Sequence, residues 1–223
     1  MVGTFACVVF DFDGTLVDSN ALKRACFFDV ARTHRNGEAT MADVLASVTG
    51  DRFAIWTAFA SAMGLPDEAG DRLARNYSDA VDAAVAGAAE MPGATDLLAT
   101  LSASPVAVFL SSATPEANLA AIVERRGWRR HFDGVYGRPA SKAETLRRHV
   151  LPLAGAPHRV AIVGDGADDR ANAAETRCRF FPVGEARGAP AGSEPVYALA
   201  DLAAHFLPDT TESRSDVRPP DHV

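Results

Sequence analysis

Residues 5–10, FACVVF, form an unbroken apolar run rich in valine that gives way at once to the polar DFDGT of 11–15. A short run of this kind, without polar alternation, reads as a strand buried on both faces, as in a parallel sheet. The glycine of DFDGT lets the chain leave the strand sharply. The same texture returns at PVAVFLSS (105–112), GVYG (134–137), RVAIVGDG (159–166) and RFFPVG (179–184). Helical segments are expected between these runs, at about 94–103, 115–127, 141–151 and 168–176. Strands alternating with helices predict an α/β fold, a doubly wound, Rossmann-like parallel sheet with right-handed crossovers.

Between residues 17 and 88 the texture differs. Alanine is frequent and β-branched runs are few. Phe53, Trp56, Thr57 and Ala60 follow helical spacing, as do Leu45 and Val48 upstream. Gly50, Gly64-Leu65-Pro66 and Gly70 punctuate the segment into about four helices. The expected organisation is a core of residues 1–16 and 89–207 with an inserted all-helical domain at 17–88. The polar, Pro-rich 208–223 reads as a disordered tail.

Ligands on doubly wound sheets bind beyond the carboxyl ends of the strands. Strand one delivers Asp11 and Asp13 there, and strand two delivers Ser111-Ser112. The loop after strand three leads to Lys142, and strand four ends in Asp165 with Asp169 four residues on. Asp11 and Asp13 alternate along an extended chain, so their side chains are expected to point the same way. One can attack while the other handles protons. Crowded carboxylates stay ionised only beside a compensating cation. Oxygen ligands without Cys or His select Mg²⁺ over Zn²⁺.

Lysine occurs in this chain only as Lys23 and Lys142, although Lys and Arg together number 22. A lysine kept against such a bias marks a place where a compact ammonium is needed and a planar guanidinium will not serve. Lys142 fits that description. Lys23, beside Arg24 on a helix, reads first as a surface charge and second as a substrate contact.

DFDGT at 11–15, Ser112 in SSATP, Lys142 in GRPASKAE and GDGADD at 164–169 resemble, in order, the four motifs of the haloacid dehalogenase superfamily. The resemblance covers residues 5 to about 207. The helical insert resembles the C1-type cap of subfamily I, the group that includes phosphoglycolate phosphatases and β-phosphoglucomutases. The resemblance implies Asp11 as nucleophile and Mg²⁺ ligand, and Asp13 as general acid/base whose backbone carbonyl also binds the metal. It implies Ser112, Ala113, Thr15 and Lys142 as phosphate contacts, Asp165 as a direct Mg²⁺ ligand, and Asp169 as one that acts directly or through water or Lys142. Arg52, in Thr49-Gly50-Asp51-Arg52, resembles a cap-loop arginine that binds the distal part of the substrate in some relatives. Gly166 stands where many relatives carry Ser or Thr, which removes a possible helix cap.

The activity so implied is Mg²⁺-dependent hydrolysis of a small phosphomonoester, a sugar phosphate or a phosphoglycolate-like acid, through an aspartyl-phosphate. A phosphomutase uses the same motifs. A non-catalytic protein that senses a phosphorylated metabolite could use the same fold. Dehalogenation fits less well, since the dehalogenating relatives lack the aspartate found here as Asp13. A net charge of −7 disfavours nucleic acid as a partner. No stretch approaches a membrane span, and Cys7, Cys26 and Cys178 suggest no disulfide framework. A cytoplasmic enzyme, monomeric or homodimeric, is expected.

Overall fold

The computed structural model of the chain describes residues 5–184 and 195–207. These fall into two compact units, one spanning Ser19–Ala89 and the other made of the described residues on either side of it. The expected tail at 208–223 lies outside the described residues.

The larger unit is built on five parallel strands: β1 (Cys7–Phe10), β2 (Ala107–Pro115), β3 (Gly134–Arg138), β4 (Val160–Gly164) and β5 (Arg179–Pro182). Their order is β3-β2-β1-β4-β5. The chain reverses its direction of travel across the sheet between β1 and β4, which places the ligand crevice at the carboxyl ends of these strands. The predicted doubly wound parallel sheet is therefore present. Valine-rich runs suit it because alternate residues must be buried on opposite faces. Cys7, Val9, Phe109 and Ile162 share one buried cluster with Leu146, Val150 and Ala173 from the helical side. Val8, Phe10, Val108 and Leu110, the intervening residues of β1 and β2, are equally buried.

In the smaller unit the described residues form four helices, α1 (Asn20–Ala31), α2 (Gly37–Ser47), α3 (Arg52–Ala62) and α4 (Ala69–Ala86), and no strand. Their core gathers Phe27, Met41, Trp56, Phe59, Leu73 and Tyr77, with Phe27 stacked on Tyr77 at 4.0 Å between ring centroids. The predicted apolar face of α3 needs a correction. Trp56 and Ala60 are buried, but Thr57 and Phe53 are exposed, and Phe59 takes the inward position instead. Phe53 sits in the first turn, where its ring lies under the Arg52 guanidinium, 5.3 Å from the centroid.

The larger unit continues with α5 (Ala94–Ser102), α6 (Glu116–Arg125), α7 (Lys142–Thr145), α8 (Leu151–Ala154), α9 (Ala167–Thr176) and α10 (Leu199–Phe206). The single helix expected at 141–151 is interrupted. A π-helical turn at Leu146–Val150 separates α7 from α8, and Pro152, which has no N–H to donate, starts the second piece. Among the described residues no helix is long and apolar enough to cross a membrane.

Candidate active site

β1 ends at Phe10, so Asp11 and Asp13 do not lie within a strand as expected. The ladder to β4 continues one residue further, with the Asp11 N–H donating to Val163 O at 2.9 Å. This pins Asp11 at the sheet edge, 7% exposed. The chain then closes a tight loop. Leu16 and Val17 N–H groups both donate to Phe12 O, Gly14 takes a φ of 77°, and Asp13 is left half-buried.

Lys142 reaches the same edge from the first residue of α7. Ser141 caps that helix by accepting from the Glu144 N–H at 3.1 Å. The Lys142 Nζ lies 2.8 Å from Asp11 Oδ1, 2.6 Å from Asp169 Oδ1 and 3.2 Å from Asp168 Oδ2. An ammonium has three donors and here meets three carboxylates. Asp168 had no expected part in the site. Its side chain is 64% exposed, consistent with a solvated helix-start charge, yet it also meets the ammonium.

Asp169 is fixed from its own helix. Its Oδ2 accepts the N–H of Gly166, the residue that precedes α9, at 3.2 Å. Gly166 has no side chain to accept an N–H of the first turn, so only the reciprocal half of a capping box is present, with Asp169 accepting the Gly166 N–H. Gly164 makes room for it, since a Cβ at 164 would overlap the Asp169 carboxylate. Gly164→Ala should displace Asp169 from Lys142. Overpacking of this kind costs about 1–3 kcal/mol, so the variant should melt below wild type; an unchanged melting temperature would contradict this packing constraint.

Asp11, Asp165 and Asp169 each offer a carboxylate oxygen, and the three lie within 4.8 Å of one another. A small pocket against Asp11 is lined by Ser111, Lys142, Asp169 and Asn172. Burial pushes the Asp11 carboxyl up to about 7, with Lys142 opposing the shift and Asp169 adding to it. Burial raises Asp169 as well. Burial works against the Lys142 charge too, but Asp11 and Asp169 outweigh it and hold Lys142 above its ordinary value. The carboxylates thus exceed what one ammonium balances. An excess of hard oxygen donors around a shared point suits a divalent cation such as Mg²⁺.

The pH consequence has a definite sign. A carboxyl raised in the folded state from 3.8 to about 7 contributes stability that is full below about pH 4 and is lost as pH rises through about 7. Metal-free protein should therefore lose stability between pH 5 and pH 8 through this group, and Mg²⁺ should stabilise it more at pH 8 than at pH 5. A ligand at a hundredfold excess over Kd contributes about 2.7 kcal/mol, or roughly 5–10 °C in Tm for a chain this long. Thermal melts with and without Mg²⁺ at both pH values check this. Equal shifts at the two values would contradict it.

β2 supplies hydroxyls. Its register against β3 shifts between Ser111 and Pro115. Within that shift Ser112 is buried, Ala113 is exposed and Thr114 is half-buried. Ser112 Oγ accepts from the Thr114 N–H at 3.1 Å and donates to Thr114 Oγ1 at 3.2 Å. Thr114 Oγ1 donates in turn to Asp13 Oδ2 at 3.1 Å. Thr114 had not been expected in the site, and it lies within the register shift, where simple alternation does not hold. Thr15 is fully buried and its hydroxyl has no hydrogen-bond partner.

Lys23 and Arg52 belong to the helical unit. Lys23 lies half-buried on α1. Arg52 opens α3 behind Asp51, whose side chain caps the helix by accepting from the Phe53 and Ala54 N–H groups at 3.0 and 3.1 Å. The Arg52 Nε is buried without a hydrogen-bond partner.

The family model for haloacid dehalogenase-like hydrolases matches residues 5–175, a span that includes Asp11, Ser112, Lys142, Asp165 and Asp169. The chain is a haloacid dehalogenase-like hydrolase. Phosphoglycolate phosphatase 1 of Pseudomonas aeruginosa is 26% identical over 227 residues, covering 97% of this chain and 84% of that protein. Two solved structures share the fold. CbbY from Rhodobacter sphaeroides, in complex with phosphate, has a TM-score of 0.69 at 19% identity, covering 91% of this chain and 99% of its own. A haloacid dehalogenase-like hydrolase from Streptococcus pneumoniae has a TM-score of 0.59 at 23% identity, covering 82% and 88%.

Proposed function

We infer that this hydrolase is a Mg²⁺-dependent phosphatase of small phosphomonoesters, of the sugar phosphate or phosphoglycolate kind, working through an aspartyl-phosphate on Asp11. The observation that carries this reading is the Lys142 ammonium held between Asp11 and Asp169 at the carboxyl edge of a parallel sheet. The P. aeruginosa phosphatase and the phosphate-bound CbbY support the choice of a phosphoryl group.

Asp11 attacks phosphorus, and the P–O bond to the leaving group breaks as the new Asp11–P bond forms. Asp13 gives its proton to the departing oxygen. It then takes one from the water that hydrolyses the acyl phosphate, which frees phosphate and restores the Asp11 carboxylate and the protonated Asp13. Ser112 donates a hydrogen bond to the phosphoryl oxygens, the Ala113 N–H joins it, and Lys142 sets its charge against them. Asp11, Asp165, Asp169 and the Asp13 carbonyl would hold Mg²⁺. When bound, the ion neutralises the charge shared by the phosphate and the carboxylates. The helical unit takes the part of a substrate-selecting cap, with Arg52 and Lys23 as its candidate contacts.

Phosphate release from a panel of small phosphomonoesters, with and without Mg²⁺, tests the reading and ranks the substrates. Mg²⁺-dependent release is expected. Interconversion of sugar phosphates without release would make the enzyme a mutase instead, and neither activity would favour the binding role.

A further inference from the structure

We propose that Thr114 is a positioning residue for the proton chemistry of Asp13, an inference that rests on the phosphatase reading above. Asp13 sits in the loop after β1, where its backbone bridges to Val17, and its side chain is half-buried. A general acid held loosely delivers its proton from few of its orientations, and misplacement of about 1 Å can cost 10²-fold. The Thr114 hydroxyl, donating to Asp13 Oδ2 at 3.1 Å, restrains that carboxylate from the neighbouring strand.

The local structure of β2 builds this contact. Without the register shift between Ser111 and Pro115, strict alternation would govern where each side chain of the segment points. The shift falls on residues 112–114, and irregular pairing near active sites commonly re-aims side chains. β3 packs closely against the segment because Gly137 has no side chain. A Cβ there would overlap the Thr114 carbonyl and the Glu116 backbone. The Gly137 N–H also donates to Glu116 Oε2 at 3.3 Å, tying β3 to the start of α6. Thr114 is thus held on its main chain while its hydroxyl spans from Ser112 to Asp13.

Thr114 meets two partners. Its peptide N–H and its hydroxyl both hold Ser112, the phosphate contact, and the hydroxyl alone holds Asp13. Thr114→Val keeps the N–H and the branched shape and removes only the hydroxyl. Thr114→Ser keeps both hydrogen bonds. The contribution of the hydroxyl should therefore grow with the need of the leaving group for a proton.

The test uses full-length protein with Mg²⁺ and a series of substituted phenyl phosphates. These share one shape and differ in leaving-group basicity. In kcat/KM, which reports steps up to leaving-group departure, Thr114→Val should lose at least about tenfold more on phenyl phosphate than on 4-nitrophenyl phosphate, because general acid catalysis is worth roughly 10²–10⁴-fold where it is needed. Thr114→Ser should stay within about threefold of wild type across the series. An equal loss on every ester would indicate a structural role and overturn the inference, as would no loss at all. A wild type inactive on every phosphate ester would contradict the phosphatase reading and the inference together. An active wild type whose leaving-group dependence is unchanged in Thr114→Val would contradict the inference alone.

Discussion

Asp11→Asn should lower phosphate release by roughly 10⁴-fold or more while leaving the protein folded, since removal of an attacking group removes the covalent route altogether. The stability side of this prediction is as specific as the kinetic one. Asp11 is buried and its carboxyl is raised to about 7, so in metal-free protein its ionised form opposes folding at pH 8. Asparagine has nearly the same shape and cannot ionise. The variant should melt no lower than wild type at pH 8 without Mg²⁺, and Lys142 keeps Asp169 and Asp168 as partners. A variant inactive through misfolding would melt lower, so a phosphate-release assay paired with a thermal melt separates lost chemistry from lost structure.

Lys142→Met should damage both activity and stability. The ammonium is 12% exposed and faces two carboxylates, Asp11 and Asp169, that are more buried than itself. Removing one partner of a buried charge pair typically costs 3–5 kcal/mol, because the charge left behind is uncompensated. Protonation of the carboxyls relieves part of that cost, so the loss in Tm should be greater at pH 8 than at pH 5. Loss of an electrostatic contact to the transferring group should reduce kcat/KM by roughly 10²–10³-fold. Lys142→Arg should not restore activity. A planar guanidinium has a different reach and cannot present three donors to three carboxylates from one point. Full activity in the arginine variant would show that the site needs only a positive charge.

The scarcity of lysine made Lys142 legible before any coordinates, and its three carboxylate contacts give that scarcity a physical reason. The sheet was legible for a similar cause. Runs such as FACVVF and RVAIVG lack polar alternation because both faces of β1 and β4 are covered, and each run stops at the carboxyl edge, where Asp11 and Asp165 follow. What sequence reading missed depends on register and on distances across the fold. Asp13 was placed on a strand because alternation was extended past Phe10, but the hydrogen bonds to Phe12 O and Val17 O bend the chain there. Thr114 was missed because the shift in β2 is a property of its pairing with β3, which no local pattern records. Asp168 is a helix-start acid of the kind that is usually solvated, and only the reach of Lys142 brings it into contact. Phe53 follows helical spacing yet lies outside the core of its unit, since spacing alone does not fix which side of a short helix turns inward.

The most direct test of the central claim is to trap the covalent intermediate. Wild-type protein mixed with Mg²⁺ and a phosphomonoester that it hydrolyses, then quenched in acid, should carry one phosphoryl group, and peptide mapping should place it on Asp11. A phosphoryl group on another residue, or turnover through rapid sampling with no phosphorylated protein at any time, would contradict the account.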